Sequence, residues 1–335
     1  MDALYARWPL LRGALPRVDL CVRETPLERW VLGDATLLVK RDDLSTPTLG
    51  GNKARSLELL LAGVGPDDEL LTMGSTGSTH ALAVAHFAAR LGARTRVITW
   101  PQEEHMVSRA TAARLRGLAR VSAARSPVTA ALRAALLRTR QRVRWIPAGG
   151  STPLGALGHV DAALELASQL GRDEERAPDV LVVPLGSGGT VAGLLVGLEL
   201  AGLPTRVAAV RVVPRVVANH GRVTRLAKRA AALLARLTGT QPARLDPARL
   251  TIEQREYGGA YARETDSARS AAAEVRAIGG PPLEGTYSGK ALAAALARAR
   301  GAPSERVLFW LTFDGRWLGE ESGARDQEAA DRVAR

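Results

Sequence analysis

Cysteine is almost missing from this 335-residue sequence: Cys21 is the only one, so no internal disulfide can form and no cysteine-rich metal site exists. Lysine is nearly as scarce, with Lys40, Lys53, Lys228 and Lys290 set against 42 arginines. Aromatic residues make up 4%, which leaves few rings for nucleic-acid bases to stack on. No apolar run approaches the length of a membrane-spanning helix, and the first residues lack the unbroken apolar segment of a signal peptide. A cytoplasmic protein without a membrane anchor is expected. No internal repeat, low-complexity tract or metal-ligating spacing is found.

What is present is ordinary for a soluble globular chain: 46% apolar and 24% charged residues. The length favours two lobes over one. A formal charge of +12 invites a nucleic-acid reading. The arginines, however, are spread over most helical segments, with a denser patch from Arg109 to Arg144. Arginine replacing lysine nearly everywhere is the mark of genome composition. A weak attraction to polyanions follows, and no specific nucleic-acid partner is expected.

In so lysine-poor a chain, the surroundings of Lys53 stand out. Leu37-Leu38-Val39 reads as a strand, and Gly50-Gly51-Asn52 then bends the chain just before a helical pattern whose Leu57, Leu60, Leu61 and Val64 share one face. Lys53 thus sits at a helix start, where the dipole disfavours positive charge. A partly desolvated amine there is suited to attack a carbonyl as a Schiff-base former.

Strands and helices then alternate. A strand at Leu70–Met73 leads through Gly74-Ser-Thr-Gly-Ser-Thr-His80 into a helix through Leu91. Strands follow at Arg96–Thr99, near Val121 and at Val143–Ile146, separated by an arginine-rich helix and a helix carrying Val128, Leu132, Ala135 and Leu136. This alternation predicts parallel sheets with helices on both faces. After the glycine-dense connection 147–158 and a further helix, the strand Asp179–Pro184 delivers Leu185-Gly-Ser-Gly-Gly-Thr-Val-Ala-Gly193. Glycines, hydroxyls and a helix start together make an anion cradle. Position 191 is Val and no Walker lysine follows, so a single phosphate fits better than a dinucleotide. A strand at 205–213, a helix over about 219–237 and a final strand, Arg306–Thr312, complete the reading. Residues 15–28 read as an extended lead-in, and the tail from Glu320 as a helix. Tyr261 and Tyr287 lie beside glycines in Tyr257-Gly-Gly-Ala-Tyr261 and Leu283-Glu-Gly-Thr-Tyr-Ser-Gly-Lys290. A phenol in such a bend can bond a ligand or move a proton.

An amine-bearing lysine, a monophosphate loop and no metal signature point to pyridoxal 5′-phosphate. On Val39-Lys-Arg-Asp-Asp-Leu44, Gly50-Gly-Asn-Lys-Ala-Arg55, Gly149-Gly-Ser-Thr-Pro-Leu-Gly-Ala-Leu-Gly158, Gly186-Ser-Gly-Gly-Thr190 and Tyr287-Ser-Gly-Lys290, the chain resembles the fold-type II pyridoxal-phosphate enzymes, in particular the D-cysteine desulfhydrase and 1-aminocyclopropane-1-carboxylate deaminase branch. The resemblance implies an α/β, two-lobed, tryptophan synthase β-like fold, each lobe a mostly parallel sheet with helices on both faces. The larger lobe would comprise residues 1–46 and 161–335, and the smaller lobe residues 47–160. A homodimer is implied as well.

By the same resemblance Lys53 carries the cofactor and acts as acid and base at the substrate's α-carbon, with Ser78, Tyr261 and Tyr287 around the substrate. Gly186, Ser187, Gly188, Gly189 and Thr190 hold the phosphate, Thr312 lies near the pyridine nitrogen, and Asn52 and Thr79 adjoin the cofactor. The reaction would be elimination from a small amino acid to a 2-oxo acid and ammonia. The departures fall in the site. Gly77 and Thr79 stand where the family has glutamine and asparagine, Leu82 where it often has arginine, and Phe313-Asp314 where it has two glycines; Asp314 would add a carboxylate near the ring. A substrate other than, or broader than, D-cysteine or the cyclopropane amino acid is therefore expected. A non-catalytic relative that binds the cofactor or a metabolite as a sensor or scaffold is the alternative.

Overall fold

The computed structural model describes residues 3–20, 22–140 and 143–318; Cys21 and the charged tail from Glu320 lie outside them. Short helices α1 (Ala3–Arg7) and α2 (Leu11–Ala14) precede strands β1 (Leu27–Leu32) and β2 (Ala35–Arg41) and helix α3 (Asn52–Leu60). The next segments are β3 (Glu69–Ser75), α4 (Thr79–Arg90), β4 (Arg94–Trp100), α5 (Met106–Leu118), β5 (Arg120–Ala123), α6 (Pro127–Arg140) and β6 (Val143–Trp145). They build a parallel sheet in the order β5-β4-β3-β6. The remainder comprises α7 (Pro153–Arg172), β7 (Val180–Leu185), α8 (Gly189–Leu200), β8 (Arg206–Arg211), α9 (His220–Thr238), β9 (Leu250–Glu253), α10 (Asp266–Ala277), α11 (Ser288–Gly301) and β10 (Val307–Leu311). With the first two strands they form a six-stranded sheet, β1-β2-β10-β7-β8-β9, parallel except for β1 at its edge.

Both sheets are covered on both faces, which is why the central strands β7 and β10 read as unbroken apolar runs. Alternate residues take opposite faces: Leu181, Val183 and Leu308 join the core with α7, α8 and α9, while Val180, Val182 and Phe309 join that with α10 and α11. In the smaller sheet Leu70 and Val97 pack toward α4, and Leu71 and Ile98 toward α6. Each such fully buried side chain contributes about 1.5–3 kcal/mol. No helix among the described residues is long and apolar enough to cross a membrane.

Several expectations are corrected. The lead-in ends two residues earlier than read, because β1 begins at Leu27 and pairs antiparallel with β2 around Gly33-Asp34. The pattern through Val64 overruns its helix, since α3 stops at Leu60. Strand β9 and helices α10 and α11 add to the expected elements: β9 spans four residues, the alanines of α11 contrast weakly between its faces, and α10 buries a face of Ala268, Ala271 and Val275. On α6 the expected apolar residues Val128, Leu132 and Leu136 face outward, the first two 68% and 67% exposed, and it is Ala130 and Ala134, with Leu137 partly buried, that pack on the sheet. Small residues bring that helix close to the strands.

Candidate active site

The carboxyl ends of β3, β4, β7, β8 and β10 open on one cavity of about 600 Å³. Such ends are where open parallel sheets bind ligands. Lys53 reaches it from the first turn of α3, held by a bend that only glycine permits. Gly51 has φ +109°, and a Cβ there would lie 2.5 Å from the Thr312 carbonyl oxygen. Asn52 donates its backbone N–H to that same oxygen at 3.1 Å, so the bend is stitched to the end of β10. Lys53 is half-buried, and among the described residues it makes no ion pair or hydrogen bond. Desolvation pushes its amine down to about 8, toward the neutral, nucleophilic form.

Beneath α3 lies a buried ionic cluster. Arg55, two residues after Lys53, donates to Asp42 Oδ1 at 2.9 Å through Nε and to Glu165 Oε2 at 2.9 Å through Nη1. Lys40 pairs with Glu165 and donates to Gln169 Oε1 and the Thr25 carbonyl, both at 2.6 Å. Trp310 donates its indole N–H to Asp42 Oδ2 at 2.8 Å. Lys40, Asp42, Arg55 and Glu165 are each at most 2% exposed, and their charges cancel. Against the desolvation that would raise it, Arg55 and Lys40 hold the Glu165 carboxyl down at about 2. The cluster fastens the Lys53 helix to β2, β10 and α7. It also gives a physical role to the Lys-Arg-Asp-Asp stretch, which from the residues alone has none.

The glycine loop between β7 and α8 meets a second glycine turn. Gly149 has φ +74°, and a Cβ on it would lie 1.9 Å from Ser187 Oγ, so that cradle closes only around a bare backbone. Ser151 donates its hydroxyl to Ser187 Oγ at 2.6 Å and accepts the Gly189 N–H at 3.0 Å. Asn52 Nδ2 donates to Thr190 Oγ1 at 2.8 Å, which ties the lysine bend to the loop. His159 Nε2 lies 2.9 Å from Ser56 Oγ and 3.3 Å from Thr190 Oγ1. Burial first, then Lys53 and Arg55, keep that imidazole far below its usual range and neutral.

The expected substrate-side residues converge as well. Tyr261 and Tyr287 place their hydroxyls 3.0 Å apart, with Ser75 Oγ donating to Tyr261 at 3.5 Å. Desolvation raises both phenols above their ordinary range, so they stay protonated and able to donate. Ser78 lines the cavity and caps α4 by accepting the Ala81 N–H at 3.2 Å, with Thr79 beside it in the first turn. Thr312 and Phe313, just past the end of β10, line the cavity. Asp314 does not supply a free carboxylate near the ring: it accepts the Gly50 N–H at 2.9 Å and pairs with Arg316 at 2.8 Å. Position 77 is glycine because a Cβ would collide with Ser108 of α5, 2.4 Å away.

Glu284 and His159 were not singled out from the residues, since their roles depend on contacts between distant segments. Glu284 lines the cavity and accepts the N–H groups of Thr286, Tyr287 and Ser288 at 2.7, 2.8 and 2.5 Å. Burial raises its carboxyl to about 7 despite those three bonds. A carboxylate ahead of a Gly-Thr-Tyr helix start is the one local hint of this capping role.

No cluster of three His, Cys, Asp or Glu among the described residues is placed to hold a metal. The groups present fit a small monophosphate aldehyde: an amine with no acidic partner, and a glycine cradle at a helix N-terminus facing the same cavity.

Comparison with known proteins agrees with this fit. The profile for "Pyridoxal-phosphate dependent enzyme" matches residues 18–312. The chain is 39% identical over 218 residues to nocardicin C-9′ epimerase of Nocardia uniformis subsp. tsuyamanensis, a match spanning 60% of this chain and 64% of that one. It is 33% identical to D-cysteine desulfhydrase of Serratia proteamaculans, covering 83% and 86% of the two chains. A solved homologue of 1-aminocyclopropane-1-carboxylate deaminase superposes with a TM-score of 0.74 at 27% identity, covering 94% of this chain and 95% of that one.

Proposed function

Because this chain belongs to the pyridoxal-phosphate dependent enzymes, we propose that it is a lyase or deaminase of the D-cysteine desulfhydrase type, converting a free amino acid to a 2-oxo acid and ammonia. Its cofactor is pyridoxal 5′-phosphate. One observation carries the reading: the Lys53 amine, shifted to about 8 and without an acidic partner, opens into the same cavity as the Gly186–Thr190 loop.

The bound cofactor supplies an electron sink that makes an α-proton removable. The chain's own residues do the rest. Lys53 Nζ would hold the cofactor, and the same amine, shifted toward its neutral form, would take the proton from the substrate's α-carbon. Ser187, Thr190 and those backbone amides of the Gly186–Thr190 loop that Ser151 does not already hold would receive the phosphate. Asn52 and Thr79, which line the cavity, would orient the cofactor, and Thr312 would serve its ring nitrogen. Ser78 positions the substrate, and the linked hydroxyls of Tyr261 and Tyr287 hold a proton for the departing group. The same reading makes the protein a cytoplasmic homodimer, with residues 47–160 as the smaller lobe and 1–46 with 161–335 as the larger.

The test is to add pyridoxal phosphate, record the visible spectrum, reduce with borohydride and map the labelled peptide. A band trapped on Lys53, followed by release of 2-oxo acid from D- or L-cysteine or another amino acid that Lys53→Ala abolishes, is the expected result. A folded protein with neither band nor label would overturn it. The 39% identity to an epimerase favours a second reading, inversion of a stereocentre without elimination. Uptake of solvent deuterium at the α-carbon with no 2-oxo acid would select that reading.

A further inference from the structure

Resting on the reading just given, we infer that the amino acid accepted here carries a bulky, uncharged, apolar or aromatic side chain, and that Met73, Trp100 and Pro127 form the subsite that selects it. The placement follows from sheet register. Ser75 and Trp100 are partners in the β3–β4 ladder, so their side chains leave the sheet on the same face. Met73, two residues before Ser75, shares that face, and Met73 and Trp100 both pack against the core beneath α6. Pro127, the first residue of α6, closes this side, and all three line the cavity.

The same face reaches the reacting groups. Ser75 Oγ donates to Tyr261, and Tyr261 meets Tyr287, so the apolar patch lies directly beside the tyrosine pair. A side chain extending from a substrate held among Lys53, Ser78 and the tyrosines has the indole and thioether next to it. Both groups suit flat or irregular apolar surfaces.

Charge and volume select the class. Among the described residues, the acidic and basic side chains lining the cavity are Lys53, His80, Glu284 and Asp314, with no arginine; burial and then Lys53 push the His80 imidazole down to about 3, so it carries no charge. Glu284 is occupied by three amides and Asp314 by Arg316 and Gly50. A second carboxylate finds no cation, and a cationic side chain finds no free anion. The cavity of about 600 Å³ lies in the range of about 300–1,000 Å³ that accommodates drug-sized ligands, so a large side chain has room in it.

The experiment titrates the pyridoxal-phosphate-loaded protein with phenylalanine, tryptophan, alanine, serine and aspartate, each as both enantiomers. Binding is read by the shift of the visible band and by calorimetry, with no turnover needed. Phenylalanine or tryptophan half-saturates at a concentration at least about tenfold below alanine or serine, and aspartate is weakest. Trp100→Ala removes the preference while the borohydride-trapped band on Lys53 persists, and Trp100→Phe retains it. Equal or tighter binding of alanine or serine overturns the inference, as does a preference that survives Trp100→Ala. Absence of any band on Lys53 overturns the cofactor reading and this inference with it; a band without the preference overturns this inference alone.

Discussion

The half of the cavity that holds Lys53 and the glycine loop is built differently from the half beside Met73 and Trp100. In the first, nearly every polar group has a fixed partner on another element. The Arg55–Asp42–Glu165–Lys40 cluster pins α3 from below, Asn52 and His159 tie it to Thr190, and Ser151 braces Ser187. In the second, the walls are apolar side chains at strand ends and a helix start, with few directional bonds. A group that is the same in every turnover, the phosphate and its amine, calls for preorganised donors. A side chain that differs between substrates calls only for shape and volume, which substitution changes without disturbing the chemistry.

This contrast can be broken at its strongest point first. Glu165→Ala leaves Lys40 and Arg55 buried without their shared counter-charge, and a loss of about 3–5 kcal/mol is expected in urea unfolding. A loss below about 1 kcal/mol would mean that the cluster does not hold α3. Gly149→Ala adds a Cβ to a left-handed turn, at about 1–2 kcal/mol, and drives it into Ser187. Retention of pyridoxal phosphate in equilibrium dialysis is expected to weaken roughly tenfold, and unchanged retention would place the phosphate elsewhere.

The gentlest probe is pH. The Lys53 amine is lowered to about 8, so its neutral fraction grows as pH rises through that value. The initial rate of band formation on added cofactor therefore climbs between about pH 7 and 9 and levels off, where an unperturbed lysine would keep rising toward its ordinary value near 10.4. The sign for stability agrees: the folded chain binds fewer protons than the unfolded one between those two values, so this group's contribution to stability rises with pH across that window. A rate still climbing above pH 10 would show that the amine is not desolvated.

Much of the fixed half was legible in the residues. Scarcity of lysine drew attention to Lys53, and the glycine run after a buried strand announced an anion cradle; both are local signals, carried by torsional freedom and helix ends. The bonds that hold those parts together were not. Glu165 lies 110 positions from Arg55, and Asn52 lies 138 from Thr190. Asp314 looked available to a ligand until Arg316 and Gly50 were seen to occupy it. On α6, periodicity picked out the face that turned out to be exposed, because the alanines on the opposite side let the helix approach the sheet.

What the sequence determined by itself is the alternation of strand and helix, the amine at a helix start and the glycine loop, since each depends on neighbours within a few positions. The tertiary structure alone decided which charges cancel in the interior, which amine stays unpaired and which apolar side chains wall the cavity. Those outcomes depend on desolvation and on contacts between distant segments, and neither exists until the two sheets have closed on one another.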